Sequence, residues 1–196
     1  MKPSTKKSAK TKIQETAWEL FLAQGYEETT ISQIIERSGT SRSAFYHHFR
    51  GKDELLFSVA YTYDLRYQDW VDACPKDLHA VDKLISFNDY IFKALEDSPY
   101  RSLYSLLYGL QVSTTGTRHI LNPDRQYYQI LRSITKEGIE KGEIISPHSY
   151  TELSNMISSF QIGTTYSWCL QRGQHSLFQY GKELLTPFLE SLRAPR

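Results

Sequence analysis

The sequence predicts an all-α chain of about nine helices, and three observations carry that prediction. Apolar residues recur at spacings of three and four along most of the 196 residues, the period of a helix with one buried face. Breaks at Gly25, Gly39, Gly51, Cys74-Pro75, Ser98-Pro99, Gly142 and Ser146-Pro147 divide the chain into segments of helical length. No segment alternates with a period of two for long enough to propose a strand, and no internal repeat is visible.

The first helix, residues 10–24, puts Ile13, Ala17, Leu20 and Phe21 on one stripe and stops at Gly25. In the second, Thr30 can cap the helix and Gln33 completes a capping box. Ile31, Ile34 and Ile35 form its apolar face, and Ser38-Gly39 ends it with a residue able to take the left-handed conformation of a tight turn. Ser41 can cap the third helix. Phe45 and Phe49, four apart, face inward together, so Arg42, Ser43, Tyr46 and His47 share the outward face. Two short helices joined by a tight turn, the second with a polar outward row, have the geometry of a helix-turn-helix reader of the DNA major groove.

The fourth helix, 52–73, carries Leu56, Val59, Ala60, Tyr63, Tyr67 and Trp70 inward. The fifth, 77–96, gathers Val81, Leu84, Ile85, Asn88, Ile91, Phe92 and Leu95. The sixth, opened by Ser98-Pro99 and running to 114, has Leu103, Leu106, Leu107 and Leu110 as its stripe. After a loop over 115–122, Pro123 suits the first turn of a seventh helix, which runs to 141. Ser146-Pro147 opens the eighth, to 172. The ninth, 176–192, has a broad apolar face from Leu177 to Leu192, and Pro187 inside it should kink it.

Residues 30–55 resemble the TetR family of bacterial transcriptional regulators. The resemblance rests on Thr30, Ile34, Gly39, Ser41, Phe45-Tyr46, His47-His48-Phe49, Lys52 and Leu55. The chain departs from the family pattern at Ile35, Ser38, Thr40 and Ser43. The resemblance implies three helices for DNA and six for effector binding and dimerisation; with the acid-free lysines ahead of the first helix, the expected organisation is a basic arm over 1–9, a DNA-binding domain over 10–56 and an effector and dimerisation domain over 57–196. It also implies phosphate contacts from Thr30, Ser41, Tyr46, His48 and Lys52, with Ser32 near a base edge. Such contacts fix register without reading sequence. For base reading, Arg42 can bond guanine O6 and N7, Ser43 can bond either base type, Ala44 can touch a thymine methyl, and His47 shares that face.

By the same resemblance the last two helices pair with their twofold mates. Ser159 and Gly163 are small enough for close approach, and Leu185, Phe188, Leu189 and Leu192 offer an apolar face that a lone chain would need to hide. The alternative is that this face packs only inside its own subunit. Twelve of the fourteen tyrosines follow residue 56. Candidate pocket residues are Tyr63, Tyr67, Asn88, Tyr104, Leu107, Tyr108, Gln111, Tyr127, Gln161 and Trp168, an apolar wall with polar tips. Ordinary core packing is the competing reading for each of them.

Charge is spread unevenly: residues 1–56 carry nine Lys/Arg against seven Asp/Glu, and Lys2, Lys6, Lys7, Lys10 and Lys12 stand with no acid among them. Such an arm can contact DNA or can be a solvated tail. Cys74 and Cys169 belong to no ligand-spaced cluster and read as reduced thiols. The basic start is not followed by an apolar run, so a cytoplasmic protein is expected. The charge-free segment 153–171 is too polar to span a bilayer. Adjacent His47 and His48 point about 100° apart and make a poor metal pair. No nucleophile–base pair or phosphate loop is present, so no enzyme and no cofactor is expected. The partners expected are a double-stranded DNA operator, a small-molecule effector and a second copy of the chain, without a membrane. A co-regulator acting through protein contacts is the alternative.

Overall fold

The computed structural model describes residues 7–195. Among them are nine α-helices and no strand beyond an isolated bridge between Ile144 and Arg193. The helices are α1 Ala9–Gln24, α2 Ile31–Ser38, α3 Arg42–His48, α4 Lys52–Ala73, α5 Ala80–Glu96, α6 Tyr104–Ser113, α7 Gln126–Glu140, α8 Tyr150–Leu170 and α9 Leu177–Glu190. Lys2 and Lys6 of the predicted basic arm lie outside the described residues. The described residues divide into two compact units, the first comprising those up to Ala60 with Ser102–His119, the second Tyr61–Arg101 with those from Ile120 onward.

In the first unit, α1 buries Ile13, Ala17, Trp18, Leu20 and Phe21 and packs against α2 and α3. The Trp18 indole donates to Leu55 O at 2.9 Å, fixing α1 to the start of α4. Tyr104, Leu107 and Gln111 of α6 are buried.

In the second unit, glycine decides two helix crossings. A Cβ on Gly181 of α9 would come within 2.4 Å of the Phe92 ring on α5, and one on Gly138 of α7 would sit 2.6 Å from Ala80 Cβ. Both positions need a missing side chain for the helices to meet at this spacing. Thr135 and Ser154 exchange a hydroxyl hydrogen bond of 2.8 Å between α7 and α8. The chain end is held back on the unit, with Ala194 N donating to Glu143 O at 3.1 Å and Arg193 clamping Asp82.

Four helix starts differ from the sequence reading, each because a side-chain turn replaces the first predicted turn. The Ser98 hydroxyl accepts from Tyr100 N and from Tyr63, and Arg101–Leu103 forms a 3-10 turn before α6. Asn122 Oδ1 accepts from Asp124 N, placing Pro123 in a turn ahead of α7. In α8 the capping box is Ser149 with Glu152, so Ser146-Pro147 precedes the helix. His79 caps α5, whose start moves to Ala80. On α9, Pro187 is accommodated within a helix that continues to Glu190.

The predicted exposed face of α9 is corrected more substantially. Leu185 and Leu189 are each 1% exposed and Leu192 is buried, because α9 lies in the groove between α5 and α8. Phe188 is half-buried. Its ring stacks on Phe160 of α8 at 5.4 Å.

Candidate nucleic-acid interface

The reading head is assembled by caps. Thr30 Oγ1 accepts from Gln33 N at 3.2 Å, and Gln33 Oε1 accepts from Thr30 N at 2.8 Å, the reciprocal pair that starts α2. Gly39 ends α2 at φ 63°, in the left-handed region. Thr40 N then bonds back to Ile35 O, and the Ser38 and Thr40 hydroxyls bond each other at 2.8 Å. Thr40, one of the departures from the family pattern, is thus absorbed by a local hydroxyl pair. Ser41 caps α3 by accepting from Ala44 N at 3.0 Å.

Ile34, Phe45 and Phe49 are buried, so the helical period leaves Ser41, Arg42, Ser43, Tyr46 and His47 exposed, with Ala44 and His48 partly so. Tyr46 is 50% exposed, its ring edge-on to Phe45 at 5.2 Å. It is therefore a surface group anchored by one edge and not a core residue. Ser32 is exposed on α2. The predicted reading and phosphate residues are thus each exposed or partly exposed.

Lys52 stands differently from the sequence reading, which gave it to phosphate alone. Its ammonium donates to Tyr26 O at 2.7 Å and Glu27 O at 3.3 Å and lies 4.2 Å from the Tyr26 ring centre. The Tyr26 hydroxyl donates to Asp53. Burial, and then the bonded Asp53 carboxylate, push the Tyr26 phenol up, so it remains a neutral donor. Lys52 thus braces the α1–α2 loop on α4, with one of its three N–H groups left over. The loop contribution is invisible in sequence because it runs through backbone carbonyls 25 and 26 residues away.

The candidate pocket residues fall in both units. Tyr104, Leu107, Tyr108 and Gln111 belong to the first; Tyr63, Tyr67, Asn88, Tyr127, Gln161 and Trp168 to the second. Several are committed locally: Trp168 Nε1 donates to His175 O at 2.8 Å, and Gln161 Nε2 to Thr165 Oγ1 one turn on. Sequence reasoning missed the buried pair of Asp64 and Arg125, joined by two bonds of 2.8 and 2.9 Å. The signal was present: Asp64 falls on the inward Ala60–Tyr67 stripe of α4.

The model for bacterial regulatory proteins of the tetR family matches residues 13–59. The chain is thus similar to the TetR family over most of α1, all of α2 and α3 and the start of α4. Its relatives include the HTH-type transcriptional regulator QacR of Staphylococcus aureus, 26% identical over 136 residues, which is 68% of this chain and 72% of QacR. The uncharacterized HTH-type transcriptional regulator TtgW of Pseudomonas putida is 42% identical over 53 residues, 27% of this chain. The chain thus spans only 40% of TtgW's length. Among solved structures, Thermus thermophilus FadR in complex with lauroyl-CoA superposes with a TM-score of 0.74 at 15% identity, covering 95% of this chain and 96% of FadR. Bacillus subtilis FadR in complex with stearoyl-CoA gives 0.71 at 20% identity, over 91% and 96%. At these identities the likeness is one of fold. Among the described residues no helix is long and apolar enough to cross a membrane.

Proposed function

We propose that this chain is a ligand-responsive transcriptional repressor that binds a palindromic DNA operator as a homodimer and is released by a small molecule. The observation that carries the reading is the exposed row of Arg42, Ser43, Tyr46 and His47 on α3, a helix held in place by the caps of α2 and α3. Arg42 reads guanine, with Ser43, Ala44, His47 and Ser32 beside it on the base edges. Thr30, Ser41, Tyr46, His48 and the remaining N–H of Lys52 hold phosphates. Residues 1–9 act as a basic arm, 10–56 as the DNA-binding domain and 57–196 as the effector and dimerisation domain.

A row of apolar side chains supports the dimer. Met156, Phe160, Tyr166 and Leu170 on α8 and Leu184 on α9 are exposed, and Gly163 has open space where a Cβ would stand. The interface is therefore assigned to Met156, Ser159, Phe160, Gly163 and Phe188, with Leu185, Leu189 and Leu192 supporting it from beneath. The FadR, SmeT and Saccharomonospora viridis structures of similar fold hold acyl-CoA, triclosan and choline, which supports a small-molecule effector. The effector favours a form in which the two heads no longer match successive major grooves, about 34–36 Å apart.

A gel shift of the purified chain on the DNA upstream of its own gene, repeated across salt concentrations, tests the reading. Specific retardation that weakens steeply with salt is expected. Retention of dimer without any DNA binding would favour a co-regulator acting through protein contacts.

A further inference from the structure

The second unit carries a cleft of about 470 Å³ between α4 and α7, to which α5 contributes Lys83. None of the pocket residues expected from the sequence lines it. Of the side chains that do, Trp70, Lys83, Ile130 and Ile134 are buried, whereas Val71, Pro75 and Lys76 are exposed. The cleft therefore opens from the surface onto a covered floor. Its volume lies within the span of small-molecule sites, about 300–1,000 Å³. The Trp70 indole nitrogen is spent on Ser86 Oγ at 3.1 Å, so this side chain offers ring surface alone. Val71, 39% exposed, leaves apolar surface wet at the mouth.

The neutral polar groups of the lining are already engaged. Gln68 Nε2 donates to Asp72 at 2.8 Å, Gln126 Nε2 to Gln68 Oε1 at 3.0 Å and Gln129 Nε2 to Asp124 O at 2.9 Å. The charged lining has one sign: it comprises Lys76 and Lys83, with no Asp or Glu. Lys83 is 7% exposed. Its Nζ donates to the two oxygens of Glu137 at 3.0 and 3.2 Å. The same carboxylate also receives Lys141 at 2.6 Å. Asp77 and Glu143 act on Lys141, and Glu143 also accepts from Ala80 N. One carboxylate is thus shared between two ammoniums. An ammonium has three N–H groups, so Lys83 keeps one beyond its two bonds to Glu137. A buried charge is stabilised by full pairing, and here the counterion is divided.

We propose that this cleft binds a compact apolar monocarboxylate, the carboxylate taking the spare N–H of Lys83 with Lys76 at the mouth. Its apolar body lies along Trp70, Val71, Ile130 and Ile134. This rests on the effector-responsive reading above and names the ligand class for it. A cationic ligand would meet two lysines and no acid on the lining. A neutral amide would gain no charge-assisted bond from Lys83. Glu137 competes with the ligand for Lys83, so removing its charge should tighten binding, a result that mere disruption of the fold would not produce.

The test titrates 2-naphthoate and octanoate into the full chain by calorimetry at neutral pH without DNA, each against its own primary amide. At least one carboxylate should bind, about tenfold tighter than its amide. Lys83→Met should weaken that carboxylate about tenfold or more, with Glu137 still held by Lys141. Lys76→Gln, a change at the exposed rim, should weaken it about threefold. Glu137→Gln should tighten it about threefold or more. Cys74 lines the same cleft and reports where the ligand sits. The bound carboxylate should slow alkylation of Cys74 by iodoacetamide, followed by peptide mass at mildly alkaline pH because burial pushes this thiol up. Failure of both carboxylates to bind, equal or tighter binding of the amides, unchanged or weaker binding in Glu137→Gln, or unslowed labelling of Cys74 would overturn the proposal. Should Lys83→Met not fold, Lys76→Gln and Glu137→Gln decide it. The gel shift on operator DNA is read separately. Its failure would sink the regulator reading, whereas calorimetry and labelling judge only the cleft and its ligand class.

Discussion

Arg42 stands on the exposed face of α3, and the proposed function has its guanidinium bond guanine O6 and N7. Arg42→Ala should therefore weaken operator binding by about 1–3 kcal/mol and relax preference at one base position per half-site. Binding measured on operator variants and on random DNA checks this; equal loss on both would remove Arg42 from the base-reading set. Lys52 combines two tasks. Its bonds to Tyr26 O and Glu27 O predict that Lys52→Ala lowers the melting temperature. Its place at the start of α4 predicts weaker binding to all sequences and a salt slope reduced by about one unit per head. A lowered melting point with an unchanged slope would leave Lys52 as a brace alone. Most of the reading head was legible in the sequence because it is local: Thr30 with Gln33, Gly39, Ser41 and the Phe45–Phe49 pair each act within a few residues. The second task of Lys52 and the Asp64–Arg125 pair were not, because their partners lie 25 to 26 and 61 residues away.

Between elements, the informative residues are those that set how closely helices approach. Gly181 lets α9 meet the Phe92 ring of α5. Gly181→Ala should destabilise by about 1–3 kcal/mol, the cost of overpacking a rigid contact, read as a lowered denaturation midpoint. No loss would mean that Phe92 moves aside freely. Nothing in the sequence distinguishes Gly181 from a helix-weakening glycine, since its role appears only once α5 lies across it. Glu137 gives a second prediction. Bonds from Lys141, and then from Lys83, hold its carboxyl below the ordinary carboxylate range. A depressed folded value means that this stabilisation is present above the unfolded value, about 4.3, and is lost as pH falls through the lower folded value. Glu137→Gln should therefore flatten the fall in melting temperature between neutral and acid pH, modestly, since the side chain is 35% exposed. An identical acid profile in the variant would show that the link carries no net stability. Helix cores were readable from period, whereas four helix starts were not. Ser98, Asn122, Ser149 and His79 compete with nearby Ser-Pro and Pro signals, and the local side-chain bond that wins is decided by geometry that residue type alone does not fix.

At the scale of the whole molecule, the twofold assembly is the part of the proposal that every other function depends on. A broad apolar stripe on α9 invites assignment to an interface, but period cannot tell a face buried within the subunit from one buried against a second copy. Leu185 and Leu189 illustrate this, being 1% exposed within a single chain. What a partner would cover is the row formed by Met156, Phe160 and Leu170, 40%, 38% and 66% exposed, with Phe188 stacked on Phe160. Burying one such side chain is worth roughly 1.5–3 kcal/mol, and a twofold interface counts each change twice. Phe160→Glu with Met156→Glu should thus convert dimer to monomer at micromolar concentration while leaving each subunit folded, because both side chains stand at the surface. Leu185→Glu should instead unfold the subunit, since it places a charge in the core. Sedimentation separates the two outcomes, and circular dichroism confirms the fold of the surface variant. Loss of dimer should carry loss of palindrome binding with it, because a single head retains only half of the phosphate and base contacts. A folded Phe160/Met156 variant that still sediments as a dimer and still retards its operator would place the interface on another face of the second unit.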